Sequence, residues 1–469
     1  MKLSRSTCAA AAALVAAAAS PALAQMAPDQ SAQDTNVSLS PSGTLPVPST
    51  LLAQAATPAA TPAPPPGAAP AAAPAAAAPA APAAPAAWVD GIKFNAQIEA
   101  GVTVNPFSQG DKYNLNFGQL FTDHQNQPMM NQALLTVSRA LDPKNPDFDV
   151  GFKLQVMYGT DARYAKYMGE FMEMLNSEYQ FTLVEANVTM HVPVGFTSGG
   201  LDLKIGQYPT PLGYEVIDAS GNPFYSHSYI FNFNLPFTHT GGYGVLHATP
   251  MVDLYGGVDS GENTTIGGLV GDNNSAPGYL GGINLTLLDG NLTALLLTHF
   301  GPENPWLSVP KANCCFRFEN DAVITYKYND KTTFTTEASW TRDNYFKANG
   351  IGVAQYVSYT WNDNVTLNAR AEVFRDDKGF FVAEFPGNLN FVRSEFGQPT
   401  TVLGVPQGYY SEYTVGLTWK PPGLPGWMAG LMVRPELRLD AQLGGPTPVY
   451  NGFTDRVSAT GATDVILQF

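Results

Sequence analysis

Six histidines, one adjacent pair of cysteines and a set of charges repeated at every second residue are the side chains here whose types can do chemistry. His124, His191, His227, His239, His247 and His299 form no His-Glu-x-x-His pair, and no Gly-x-Ser-x-Gly or glycine-rich phosphate loop occurs. Ser226, His227 and Ser228 invite a hydrolase reading, but neighbours in sequence do not make the convergent geometry of a triad. Asp272, Asn273 and Asn274 offer oxygen ligands for a cation and read more simply as a solvated loop. Cys314 and Cys315 would close a strained ring if bridged, yet two thiols outside the cytosol seldom stay free. Metal binding or redox work by that pair would need further Cys or His at ligand spacing, and none follows. Catalytic residues, cofactors and metals are therefore not expected.

The alternating charges are more informative. Ile92, Phe94, Ala96, Ile98, Ala100, Val102 and Val104 alternate with Lys93, Asn95, Gln97, Glu99, Gly101 and Thr103, which is period two sustained through a long strand. Val365 to Val373 repeats the pattern around Arg370 and Glu372, as does Val150 to Tyr158 around Lys153. One face of each strand is apolar and the other carries polar groups. On the polar face fall Lys93, Lys153, Lys204, Lys327, Arg370, Arg434 and Arg438, with Glu99, Glu185, Asp202, Glu337, Glu372, Glu436 and Asp440. Seven bases meet seven acids, so this face reads as nearly neutral and the acidity is expected in the connections.

Of the 469 residues, the first 87 cannot contribute to such a sheet. Lys2 and Arg5, the apolar run Cys8 to Ala19 and Ala22-Leu23-Ala24 read as a secretory signal over residues 1–24. Residues 25–87 read as a disordered periplasmic linker: 29 of the 32 residues from Ala56 to Ala87 are Ala or Pro. That density favours a polyproline spacer of roughly 100 Å. The remaining 88–469 carry 22 Lys+Arg and 37 Asp+Glu, hence the whole net charge of −15. Charged residues make up only 13% of the chain and the balance is acidic, which argues against a nucleic-acid partner. A mean hydropathy of −0.07 excludes a bundle of membrane helices.

Strands are expected at about 92–104, 132–140, 149–158, 180–192, 201–208, 242–248, 251–258, 279–288, 291–300, 319–329, 331–341, 351–361, 364–375, 411–419, 430–440 and 462–469. Their lengths suit tilted membrane-spanning strands, and short joints such as Asp289-Gly290, Asn329-Asp330 and Asn362-Asp363 alternate with long ones. Tyr158, Tyr179, Tyr326, Tyr328, Trp340, Tyr359, Trp361 and Trp419 sit at strand ends, as interfacial girdles do. The expectation is an all-β transmembrane antiparallel barrel of about sixteen strands, with both termini on the periplasmic side. A last strand ending in Phe469 resembles the C-terminal barrel signal of Gram-negative outer-membrane proteins.

The stretches Gly206 to Glu215 (GQYPTPLGYE), Asn222 to Ser228 (NPFYSHS) and Pro236 to Gly241 (PFTHTG) resemble the beta-barrel porin-2 family, the OmpL-like porins. The resemblance is continuous over about 60 residues and compatible with the rest of 88–469. It implies an outer-membrane porin and assigns few functional residues.

In such a barrel the function lies in the wall and in any loop that folds inward. The connection from about Pro209 to Thr240 is rich in aromatics (Tyr214, Phe224, Tyr225, Tyr229, Phe231, Phe233, Phe237), and so apolar a loop gains by leaving water. Glu215 and Asp218 are expected to narrow the lumen opposite basic wall residues. An aromatic lid on the rim and a contact between subunits are the rivals. The function expected is passive diffusion of small hydrophilic solutes or ions, with mild cation preference. The alternative is a plugged barrel that serves as an adhesin through its long loops, and a soluble exported β protein comes third. Partners are outer-membrane lipid and the barrel assembly machinery, and a homotrimer is compatible with this reading.

Overall fold

The computed structural model describes residues 88–108, 112–142, 145–171, 177–266 and 271–469. The expected signal segment and linker lie outside the described residues. Sixteen strands close on themselves: β1 (Lys93–Val104), β2 (Pro128–Arg139), β3 (Asp149–Gly159), β4 (Gln180–Val192), β5 (Leu201–Pro209), β6 (Thr238–Thr249), β7 (Val252–Glu262) and β8 (Gly278–Leu287) lead into the second half. That half comprises β9 (Leu292–Gly301), β10 (Arg317–Lys327), β11 (Thr332–Asp343), β12 (Ala348–Asn362), β13 (Val365–Asp376), β14 (Gly408–Trp419), β15 (Gly430–Gly444) and β16 (Val457–Gln468). Every neighbour is antiparallel and next in sequence, and β1 pairs with β16 from Gln97↔Gln468 to Val104↔Gly461. Closure leaves no strand edge, the condition for backbone to cross a bilayer as a sheet. Among the described residues no helix is long and apolar enough to cross a membrane.

The period-two pattern becomes two surfaces. Phe94, Leu135, Ile205, Leu254, Val415 and Leu437 are exposed on the outside, while their neighbours Gln97, Glu99, Arg370, Arg434 and Arg438 are buried within. Tyr326, Tyr328, Tyr359, Trp361 and Trp419 are exposed at the end of the barrel where the short joints lie. Phe469 seals the seam: its N–H donates to Ala96 O (2.9 Å) and its ring stacks on Trp427 at 5.9 Å.

All the expected strands are present, but several run longer. β2, β6, β14 and β16 begin three to five residues earlier than the apolar alternation indicated. Their extra turns stand on the long-loop side, where both faces meet polar or loop residues and the pattern fades. The connection expected over 342–350 is only 344–347, because Asp343 and Ala348 still pair. Of the tight joints, Asp289 does adopt positive φ (53°). Asn329 and Asn362 instead turn the chain by accepting backbone N–H groups from Lys331 and Asn364, each at 2.9 Å.

Leu437, 66% exposed near the middle of β15, faces the surroundings that lipid would fill. Leu437→Lys should destabilise the barrel in vesicles by about 2–4 kcal/mol, read as a lower urea midpoint. An unchanged midpoint would mean that this face does not see hydrocarbon.

Candidate functional site

Residues 210–237, between β5 and β6, fold into the barrel, and nearly all of their side chains are buried. A chain that leaves water without joining a sheet must find a partner for each N–H and C=O. Here the wall supplies them. The N–H of Gly213 donates to Asp321 on β10 (3.2 Å) and that of Tyr214 to Glu337 on β11 (3.0 Å). Tyr225 and Ser226 donate to Glu436 on β15 (2.9 and 3.2 Å), and Tyr229 and Ile230 to Glu372 on β13 (2.6 and 2.8 Å). The carbonyls are taken by arginines. Arg434 donates to Ala219 O (2.7 Å) and Asn222 O (2.8 Å), Arg370 to Ser226 O (2.9 Å) and Arg438 to His227 O (2.6 Å).

Close approach is written into two wall glycines. A Cβ at Gly101 would lie 2.5 Å from the Tyr225 ring, and one at Gly352 would lie 2.4 Å from Ile230. Tyr229 to Phe233 form one helical turn capped by the Ser228 hydroxyl, which accepts from Phe231 N–H (3.0 Å). Phe231 of this turn and Phe237 pack on Phe121 from the first long loop; Phe121 meets Tyr164 from the second, and Phe237 meets Phe391 from 377–407. The outer half of the lumen is thereby an aromatic core.

Glu215 is the ionic centre of the loop. Its carboxylate accepts from Arg370 (2.6 Å), Ser228 N–H (2.9 Å) and Tyr356 OH (3.2 Å), with His227 Nδ1 at 3.2 Å. Burial works to raise its pKa, but the Arg370 guanidinium, aided by His227 and Ser228, holds it at about 2. Asp218 differs from the expectation of a basic partner: it accepts from Gln97 (3.0 Å), Gln155 (3.4 Å) and Ser220 N–H (3.1 Å), and so caps a turn. The remaining wall candidates divide into two sets. Arg370, Glu372, Arg434, Glu436 and Arg438 touch the loop, and Glu99 reaches it through Arg434 (3.2 Å). Lys93 is exposed at the periplasmic end; Lys153 and Lys204 pair with Glu185 at 2.6 and 3.8 Å, away from Glu215.

The wall is not neutral. The same inward face also carries Asp253, Asp259, Glu319, Asp321, Asp343, Glu412 and Asp464, against the added base Arg317. The expected strands stop short of Arg317 and Asp343, β7 is too glycine-rich to alternate clearly, and the partners of Glu319, Asp321, Glu412 and Asp464 lie on segments far off in sequence. Cys314 and Cys315 come together as a vicinal bridge in the loop 302–316. Asp272 accepts from Asn274 and Ser275 N–H (2.8 and 2.7 Å), which makes it a turn former. Ser226 and Ser228 are engaged by Arg370 and the helical turn, so no triad assembles around His227.

A closed sixteen-strand barrel with an apolar exterior, a charged interior and an infolded third long loop defines an outer-membrane channel protein. Residues 91–469 match the family described as "Putative beta-barrel porin-2, OmpL-like", and the chain belongs to that family, which places it in the bacterial outer membrane. No curated protein matches the sequence. Among solved structures it is similar to the outer membrane channel DcaP of Acinetobacter baumannii (12% identity, 81% of this chain and 97% of that one, TM-score 0.47). It is also similar to Salmonella typhi OmpF in complex with daunomycin (8% identity, 81% and 99%, TM-score 0.48). The outer membrane protein OpdK of Pseudomonas aeruginosa is a third (11% identity, 81% and 99%, TM-score 0.42).

Because the Glu215 carboxyl is held at about 2 against an ordinary value near 4.3, its ionised form favours the docked loop. The Glu215 contribution is complete above the ordinary value and is lost as pH falls through about 2. The Glu215 step in single-channel conductance should therefore come only in strong acid, below about pH 4. Glu215→Gln should show the acid level of that step already at pH 7. A strong-acid step that persists in Glu215→Gln would contradict the Arg370 anchor.

Proposed function

We propose that the protein is a passive channel for small hydrophilic solutes or ions, constricted by residues 210–237, with mild preference for cations and no enzymatic step. The observation that carries this reading is the infolded loop 210–237, set in a wall whose acids outnumber its bases. Arg370, Arg434 and Arg438 are each neutralised by acids or covered by loop carbonyls, so they offer little to a passing anion. Toward the periplasmic end Lys153 and Lys204 both pair with Glu185 and Lys93 stands exposed, which keeps the preference mild. Rings of charged side chains set selectivity in this way. Lipid forms the outer surroundings, the barrel assembly machinery inserts the chain, and a homotrimer is the assembly proposed.

One observation favours the second reading, a barrel whose surface loops bind a partner: aromatic packing fills the outer half of the lumen. Planar bilayers distinguish the two. A channel gives stepwise ohmic conductance, and under a potassium chloride gradient its reversal potential should show potassium passing a few times more readily than chloride. Chloride preference would overturn the selectivity, and silence in wild-type protein would favour the binding barrel.

A further inference from the structure

Beside the root of the infolded loop, three strands bring His239 (β6), Asp259 (β7) and His299 (β9) together, all buried. Asp259 stands between the rings, with Oδ2 3.3 Å from His239 Nδ1 and Oδ1 3.1 Å from His299 Nε2. The ring centroids are 4.7 Å apart. The other nitrogen of each ring is held from behind: Thr210 Oγ1 lies 2.8 Å from His239 Nε2, and Glu319 Oε2 lies 3.2 Å from His299 Nδ1. Outer partners of this kind fix the ring orientation and tautomer of metal-bound histidines.

Hydrogen bonding accounts for His299, whose two nitrogens meet Asp259 Oδ1 and Glu319 Oε2, but it leaves the His239 side short. His239 Nδ1 is buried and makes no hydrogen bond, although it points at Asp259. A neighbouring glycine keeps the space open: a Cβ at Gly278 would fall 2.4 Å from Asp259 Oδ1 and 2.5 Å from His299 Nε2, both of them donor atoms. The acids around the cluster outnumber its arginines: Arg317 takes Glu262 and Asp343 at 3.0 and 3.2 Å, whereas Glu303 and Glu319 each keep a buried oxygen without a partner.

We propose that His239 Nδ1, His299 Nε2 and the Asp259 carboxylate bind one divalent transition ion of the zinc type. Bonds of about 2.0–2.1 Å in a tetrahedron place donors about 3.3 Å apart; each ring stands at 3.3 or 3.1 Å from one of the two Asp259 oxygens, and the candidate donor atoms all lie within 4.8 Å of one another. Two imidazoles with one carboxylate suit zinc, nickel or copper, whereas magnesium and calcium prefer oxygen alone. Glu262 is a poorer ligand than Asp259 because Arg317 occupies both of its oxygens. Local spacing offers no hint of this set, since its members are 20 to 60 residues apart. An ion here would tie β6, β7 and β9 together next to Thr210, where the infolded loop begins.

The test uses the full chain folded in detergent, stripped with chelator, dialysed against zinc and then against metal-free buffer, with metal counted by mass spectrometry. About one zinc per barrel is expected, and cobalt in its place should show visible absorption bands of a tetrahedral site. His239→Ala and His299→Ala should weaken zinc binding by at least about tenfold, while His191→Ala, at the other end of the barrel, retains the ion. Gly278→Ala should also lose it although every donor residue is retained. The change in gel mobility on heating shows that each variant is folded. Trace zinc in the wild type, or full retention in the folded His239 or Gly278 variants, would overturn the site. If a histidine variant fails to fold, the wild-type count and Gly278→Ala still decide.

Discussion

A peptide segment carried into the interior of a barrel brings its N–H and C=O groups with it, and each one left unpaired costs about 1–3 kcal/mol. The sheet cannot help, because its own hydrogen bonds are spent between strands. The rest of this structure depends on how residues 210–237 meet that demand. Asp321, Glu337, Glu372 and Glu436 accept its N–H groups, and Arg370, Arg434 and Arg438 donate to its carbonyls. A charged wall is thus the complement of an irregular loop. Replacing those charges with apolar groups of similar size would strand the backbone.

The same requirement explains where the charge lies. Of every two residues in a strand, one faces outward and must be apolar, which holds the charged fraction of the chain at 13%. The other faces a loop rich in backbone donors, and carboxylates accept from such donors in pairs, as Glu372 and Glu436 do. Acids therefore accumulate on the wall beyond what the arginines balance. A negative interior and an anchored loop are two results of one arrangement, and a mild preference for cations accompanies both.

The sheet was legible because its signal is local. Period two places Lys93, Glu99, Arg370 and Glu372 on one face whatever the rest of the chain does, and short and long joints alternate with the direction of travel. Strand ends were less legible, since the apolar outer face disappears where β2, β6 and β16 rise beyond the hydrocarbon. The loop's descent could be argued from its aromatics, but its partners could not. Asp218 and Glu215 are three residues apart with the same charge, yet one meets amides and the other Arg370, 155 positions away. Nothing in the local pattern encodes which strand stands opposite. The near cancellation of wall charge failed for the same reason: Asp464 counts only once its strand is set in register against Arg434.

The central claim is that residues 210–237 set the width of the conducting path. Its most direct test is single-channel conductance of the wild type beside a variant in which 213–235 is replaced by a short Gly/Ser joint between β5 and β6. Folding of the variant is checked by its gel mobility before and after heating. A severalfold rise in conductance with weakened selectivity is predicted. Equal conductance in a folded variant would show that the path lies elsewhere and would contradict the account.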